Sequence, residues 1–548
     1  MGPIHRLLAW AVGAYLALPS VSLVPIPAED FAWLNATTVD FLVRCQLAGV
    51  NGTRIFTPDA SSSYGEQWTR DFAMAVLNAP DALKAAEASS GCSVAAAVAF
   101  TFERIEPSGM APDRVTSGGE AVFAPGTGTW PVLLAWDNMP FAGLLLAGYA
   151  EAWGNGAEVF CAWEGTARRA IDFVPMRDGL AFNDPAAPNC SYGFEDSVVL
   201  PGRMLTVSLL MFDAATRLSA LATATGCGDP AHYDAVAAGV AVAVDGLFDA
   251  QSGLFLAADA TLAPQPDVFG SAYAVVLGLG TQQHRTSVGA FLAAQWRSGA
   301  GSVWQQGQAR HLPQPLFWAQ CWDATCPAKG TYQNGAFWAT PLNWVLPALV
   351  ASGFGREAQA AAAAAVASFR AFGVNEAVNS AVDYVGVTDY IASATNVLGA
   401  LKPIGEPWRH EPMGSVEPPV ETLEEASWDE PVASTQRAGR RSLLGCKWDN
   451  FHHKMSCSET GQPSAPPKAA VTAAAVAAAP AVKGAAVELV HVIGERNSGT
   501  NWLETVLRAN FAPPVWDSFC SFKHWAQEPC HPKQRYITVV LFRNPYDW

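Results

Sequence analysis

Four short segments gather carboxylates, aromatic rings and hydrogen-bonding side chains. They are Tyr64-Gly-Glu-Gln-Trp68-Thr-Arg70-Asp71, Trp136-Asp137-Asn138, Tyr192-Gly-Phe-Glu195-Asp196 and Asn375-Glu376, the last followed by Asp389-Tyr390. A fifth, Thr331-Tyr332-Gln-Asn334-Gly-Ala-Phe-Trp338, supplies rings and amides without an acid. Carboxyl groups in separate loops suit acid–base cleavage of a glycosidic bond. One carboxylic acid protonates the leaving oxygen, and a second carboxylate activates water or attacks the anomeric carbon. Rings stack on the apolar faces of sugars, while Arg and Asn fix hydroxyls. Each segment also has a plainer use: Arg70 with Asp71 as an ion pair, Glu195 as a first-turn helix residue favoured by the dipole, Asp389 as a helix N-cap.

The elements that must hold these loops read as helices. From about residue 28 to 402 the sequence is apolar and Ala-rich at helical spacing, broken by Gly and Pro. Helical stretches are expected at 72–77, 139–153, 203–223, 231–248, 286–296, 341–351, 356–372 and 390–401; Met204, Val207, Leu210, Met211, Ala214 and Leu218 recur at threes and fours along one of them. Alternating strand patterns are scarce. Half of the 548 residues are hydrophobic and 15% are charged, enough to bury a large core. The formal net charge of −16 disfavours nucleic acid as a partner, and the 20 tryptophans favour flat or ring-shaped ligands.

Met1–Arg6, the apolar run Leu7–Leu18 and Pro19–Ser22 have the order of a secretory signal; extension to Val24 keeps a signal anchor open as the alternative. Sequons at Asn35, Asn51 and Asn189 and the 11 cysteines fit that compartment, a secreted or lumenal location, with no membrane contact expected beyond such an anchor. Local pairing candidates are Cys321 with Cys326, Cys446 with Cys457 and Cys520 with Cys530. Residues 403–486 are Pro- and Ala-rich and read as a disordered linker, with Cys446, His452, His453 and Cys457 in a small basic island that favours a disulfide loop over a metal site. No metal site is expected elsewhere.

The segments Trp68-Thr-Arg-Asp71, Tyr192-Gly-Phe-Glu-Asp196-Ser, Gly330-Thr-Tyr-Gln-Asn-Gly335 and Asp389-Tyr-Ile-Ala-Ser-Ala-Thr-Asn396 resemble the six-hairpin glycosidases. The resemblance covers residues 30–402. It implies a mainly α fold, an (α/α)6 toroid of helical hairpins with a carbohydrate site at one mouth and no cofactor. By position it makes Asp196 the general acid and Glu376 the general base, with Glu195 and Asp137 in reserve for the acid. Arg70 and Asp71 would bind the sugar at the cleavage point, Trp68, Trp136 and Trp338 would be stacking walls, and Asp137, Tyr332 and Asn334 would complete the substrate contacts. Inversion, the usual outcome in that group, requires carboxyls ~6.5–9.5 Å apart. An inactive sugar-binding toroid is the alternative; a phosphorylase would need a basic pocket, which residues 30–402 do not show.

The last segment, 487–548, changes texture. Strand candidates at 487–493 and 536–542 flank a Gly-rich loop, Gly494-Glu-Arg-Asn-Ser-Gly499-Thr500, and a helix candidate at 501–510. The loop lacks the Lys of a nucleoside-triphosphate loop but keeps the donors of an anion site. Arg496-Asn-Ser-Gly-Thr-Asn501, Phe522-Lys-His524 and Phe542-Arg-Asn-Pro-Tyr-Asp547 resemble, in order, three landmarks of sulfotransferases. That resemblance implies a partial α/β, P-loop-like segment, in which Arg496, Ser498, Gly499, Thr500 and Asn501 bind the 5′ side of 3′-phosphoadenylyl sulfate, Arg543 binds its 3′-phosphate and His524 is a candidate base. A sulfotransferase carrying the toroid as a carbohydrate-binding module is the second functional expectation.

Overall fold

The computed structural model describes residues 24–404 apart from 62, 127–131, 300–302, 323–325 and 382, together with backbone strands at 446–449, 454–457, 489–494, 515–516 and 536–541. The signal segment, most of the linker, the basic island's histidines, the anion loop, Cys520 and Cys530 lie outside the described residues. The chain divides into two compact units, 1–456 and 457–548.

Six inner helices form a closed ring in the first unit. They are α2 (Thr69–Asn78), α5 (Asn138–Ala152), α7 (Leu205–Thr225), α9 (Val268–Val276), α11 (Leu342–Ala351) and α13 (Ile391–Gly399). Each packs on the next, and α13 returns to α2. An outer layer covers them: α1 (Ala28–Arg44) against α13, α3 (Pro80–Ser90) against α2, α6 (Gly156–Phe173) against α5, α8 (Pro230–Ala243) against α7, α10 (Gln282–Ser298) against α9, and α12 (Gly355–Phe372) against α11. The short α4 (Val94–Phe102) packs beside α5 and α6. Strand Val24–Ile26 pairs in parallel with Leu401–Pro403 and ties the two ends of the domain together. This is the expected toroid of helical hairpins.

The sequence separates the two layers. Helix α5 is buried at every position from Asn138 to Tyr149, as an inner helix must be. Outer helix α12 buries only Ala358, Ala361, Ala362, Ala365, Val366, Ser368 and Phe369, one stripe at threes and fours. Helix α7 is long and apolar enough to cross a bilayer, yet 83% of its most apolar window is buried inside the ring. At Gly143 an added Cβ would come 3.3 Å from Ala214 Cβ and Leu218 Cδ1, so α5 and α7 approach more closely than a side chain allows.

Five of the thirteen described helices, α1, α3, α4, α6 and α9, fall outside the stretches expected from periodicity, and strands are commoner than expected. The loops carry two- to five-residue strands, including a five-stranded sheet in the order 304–305, 308–309, 337–338, 375–378, 384–388, and a three-stranded sheet built on 66–68, 114–116 and 121–122. Strands this short cannot display an alternating pattern. In the second unit, Leu489–Gly494 pairs in parallel with Tyr536–Leu541, Gly494 opposite Leu541, and with Val515–Trp516 on its other side.

Disulfide Cys321–Cys326 forms as expected; Cys161–Cys227 joins α6 to the turn after α7 and lies outside the local pairings expected. The latter spans 66 residues. Replacing both of its cysteines by Ala is expected to remove up to about 4 kcal/mol of unfolding free energy by loosening the constraint on the unfolded chain. A fall in the urea midpoint, with a steeper slope from the more expanded unfolded chain, would read it out; no shift would show the bridge to be dispensable.

Candidate functional site

Each inner helix is followed by an outer one that returns the chain, so all six inner N-termini face one end of the ring. The candidate residues collect there. Asp71 lies in the first turn of α2, Asp137 caps α5, Asp267 caps α9 and Tyr390 caps α13. Asp196 follows the 3-10 turn Gly193–Glu195 that leads into α7. Glu376 sits in the strand Asn375–Val378, held between 337–338 and 384–388. Six positive helix ends thus meet a crowd of carboxyls.

Glu376 is 2% exposed. Its Oε1 accepts from the Tyr332 hydroxyl at 3.3 Å, and its Oε2 from the Tyr64 hydroxyl at 3.3 Å and the Val387 N–H at 3.1 Å. Gly386 is required beside it, because a Cβ there would run into the Glu376 carboxylate. Burial pushes Glu376 up to about 8 against the pull of its three donors. Asp196 is 8% exposed and, among the described residues, accepts one hydrogen bond, from Gln333 Nε2 to Oδ1 at 2.8 Å; burial lifts it to about 7. Adjacent residues of one turn hold the two carboxyls, Tyr332 bonding Glu376 and Gln333 bonding Asp196, which brings the two acids to the same loop. Asp71 accepts from the Tyr390 hydroxyl at 2.7 Å, is pushed by burial up to about 6, and lies within the field of Glu376.

Arg70 takes a different part from the one expected. It is buried, with Nη2 donating to Asp113 Oδ1 at 2.5 Å and Asn138 Oδ1 at 3.1 Å, and Nε donating to Asp137 Oδ2 at 3.0 Å. Arg70 is thus engaged through Nε and Nη2, and Asp137 Oδ2 also accepts from the Gly193 N–H at 2.9 Å, while Asp137 Oδ1 has no hydrogen-bond partner among the described residues. Asn334 is a loop clamp: its Oδ1 accepts from the Trp318 N–H and its Nδ2 donates to the Pro327 carbonyl, at 2.9 and 2.7 Å. Trp338 is 1% exposed and packs against Phe194, Tyr332 and His311, a core residue and no stacking wall. In each case a polar or aromatic residue of the right type is drawn inward by a partner far away in sequence.

Trp68 stays beside the site, half-buried, edge-on to Tyr64 at 5.3 Å and under the Arg114 guanidinium at 4.8 Å. Trp136 is half-buried and donates its indole N–H to Asn183. Glu195, the reserve acid, is buried 2.7 Å from His311 Nδ1. Burial raises Glu195 to about 8 and lowers His311 to about 3, so the pair is neutral. Asp389 is not an N-cap: it sits at φ 55° and bonds Arg44 at 3.1 Å. Sequence reasoning missed Tyr64 and Gln333 as site residues. Both stand inside segments already singled out, but a phenol and an amide give no signal of which acid they will serve.

Among the described residues no group of three or more His, Cys, Asp or Glu could hold a metal. Arg496, Ser498, Gly499, Thr500, Asn501, His524 and Arg543 lie outside the described residues.

No family model matches the chain, and no curated protein does. Solved structures are similar to it. An uncharacterised conserved protein from Thermus thermophilus gives a TM-score of 0.50 at 16% identity, over 67% of this chain and 99% of that one. A mannosylglycerate hydrolase from the same organism, in complex with glucose, gives 0.49 at 16% identity over the same shares. The glucoamylase of Saccharomycopsis fibuligera gives 0.47 at 12% identity, over 69% of this chain and 96% of that one. At 16% identity the likeness to the first of these bears on the fold alone.

Removing the Arg70 charge leaves buried Asp137 without its cation and Asp113 with Arg114 alone. Arg70→Met is expected to cost about 3–5 kcal/mol of stability, read as a fall in melting temperature. A variant as stable as the wild type that lost only sugar affinity would instead restore Arg70 to the substrate-binding set.

Proposed function

We propose that the helical domain is a glycoside hydrolase that inverts the anomeric centre, with Asp196 as general acid and Glu376 as general base. The observation that carries this reading is that two carboxyl groups from distant parts of the chain, both raised by burial, are held by adjacent residues of one turn at the N-terminal mouth of the ring, Glu376 by Tyr332 and Asp196 by Gln333. The motifs that resemble six-hairpin glycosidases support it from the sequence side.

In this mechanism Asp196 gives its proton to the glycosidic oxygen as the bond from C1 breaks. Glu376 takes a proton from water as the oxygen of that water joins C1 from the opposite face. Both groups then exchange protons with solvent to reset. Three donors aimed at Glu376 favour its ionised form and Asp196 has one, but burial still raises Glu376 to about 8 and Asp196 to about 7, so the productive form, with the proton on Asp196, is the minor arrangement of the pair. Trp68 is the nearest candidate for a sugar-stacking wall, and Asp71 for a hydroxyl acceptor. The substrate class is a glucoside or related glycan.

The sign of the pH dependence follows. Activity requires Glu376 without its proton and Asp196 with one. It falls in acid as Glu376 is protonated, and in alkali as Asp196 ionises. With the acid near 7 and the base near 8, the productive arrangement is most populated at pH about 7–8. A bell centred there in kcat/KM is expected; a bell centred near pH 4–5 would remove these two residues from the roles given.

Variants of the full chain test the roles on a panel of α- and β-glycosides. Asp196→Asn and Glu376→Gln should each lower kcat by about 10²–10⁴-fold. With glycosyl fluorides, whose leaving group needs little proton assistance, Asp196→Asn should recover most of its activity and Glu376→Gln should not. NMR of the first product should show the anomer opposite to the substrate's. Activity surviving both substitutions, or a retained anomer, would overturn the assignment.

A further inference from the structure

Adjacent residues on one turn hold the two carboxyls. Tyr332 donates to Glu376, and Gln333 donates to Asp196. Gln333 is 1% exposed, and its amide cannot be turned around. Its Oε1 accepts from both the N–H and the hydroxyl of Ser197, at 2.8 and 2.6 Å, so Nε2 is the only group left to face Asp196. The turn itself is pinned. The Asn334 N–H donates to the Thr331 carbonyl, the Trp318 indole donates to the Gln333 carbonyl at 2.8 Å, and Tyr332 sits at φ 39°. The neighbouring loop closed by Cys321–Cys326 touches the acid's own segment, through the Trp322 N–H to the Ser197 carbonyl and the Val199 N–H to the Gln320 carbonyl.

From this geometry we infer that Gln333 is the positioning residue of the acid: it fixes which oxygen of Asp196 carries the transferred proton, and with it how readily that group gives the proton up. The inference rests on the glycosidase reading above. With Oδ1 accepting an amide N–H, the carboxyl proton resides on Oδ2, and Oδ2 is the oxygen presented to the leaving group. The same hydrogen bond favours the ionised form of Asp196, so it limits how far burial can raise that group. Arg70 acts in the same direction, Asp113 and Asp137 act against it, and the Tyr64 and Tyr332 phenols and the Cys190 thiol complete the titratable groups around it. None of these is altered by a change at Gln333.

Two full-chain variants decide the matter. Gln333→Leu removes the donor at similar size. Gln333→Glu keeps the shape and sets a second carboxyl against Asp196. Each should lower kcat/KM by about 100-fold through misplacement of the proton. Because Glu376, near 8, sets the alkaline limb while Asp196 lies below it, that limb should move up by only about 0.3 pH unit in Gln333→Leu and further in Gln333→Glu, where the second carboxyl carries Asp196 past Glu376. The carboxyl carbon of Asp196, identified in the NMR spectrum by its loss in Asp196→Asn, should titrate higher in both variants. A folded Gln333→Glu protein whose alkaline limb and Asp196 titration both match the wild type would overturn the role of Gln333. If the wild-type chain hydrolyses no glycoside, the glycosidase reading falls, while the titration of Asp196 in the variants still decides whether Gln333 governs its protonation.

Discussion

The geometry of the mouth depends on one buried guanidinium. Arg70, in the first turn of α2, reaches Asp113 in the segment before the 114–116 strand, and Asp137 and Asn138 at the start of α5. Asp137 in turn accepts from the Gly193 N–H, the first residue of the turn that leads to Asp196. A glycine is needed at 193, since a Cβ would collide with the guanidinium. One cation therefore joins three loops from different hairpins. A planar fork can do this because it offers several donors in fixed directions, whereas an ammonium would act as a single point. The ion cluster stays intact because burial penalises separated charges more than paired ones.

Acid placement in the rest of the mouth follows from the same low polarity. Carboxyls that gather at one end of the ring cannot all ionise when water is excluded, and here Asp71, Asp196, Asp267, Glu195 and Glu376 are all raised by burial. Their environments separate them. Glu195 faces His311 as a neutral pair, and Asp267 is absorbed in capping α9 through the Phe269 and Gly270 N–H groups. Glu376 has three donors, and Asp196 has Gln333. What distinguishes a base from an acid in this site is therefore the count and direction of hydrogen-bond donors, and these come from loops and not from the helices of the ring.

That division explains what the sequence disclosed. Individual helices were legible from their apolar spacing, as in the one-sided α12, whereas their closure into a ring was legible only through the motifs that resemble the six-hairpin glycosidases. The acidic segments were legible as places where chemistry could happen. The roles within them were legible only in part. Arg70 and Asp71 are neighbours in sequence, yet their partners, Asp137 and Tyr390, are 67 and 319 positions away. Trp338 and Asn334 looked like ligand contacts because nothing local shows that Phe194, His311 and Trp318 will surround them. Asp389 looked like a cap because capping is a local rule, and it lost to a distant arginine. Local physics was visible, and long-range pairing was not.

The turn at 331–334 shows why loops of this length can still be rigid enough for proton transfer. A free loop would let Tyr332 and Gln333 sample several rotamers, and the two carboxyls would drift with them. Here the ends of the turn are bridged, one side is fixed to the Trp318 backbone and indole, and Trp318 is itself packed in a small core with Val198, Leu200 and Leu312. Val198 and Leu200 belong to the segment that follows Asp196, so the acid's loop and the turn that steers it share one hydrophobic floor. Motion of either would uncover apolar surface, which is unfavourable by roughly 25 cal/mol for each Å² exposed. The helical ring supplies the frame, but it is this shared floor that makes the spacing between acid and base a property of packing and not of loop length.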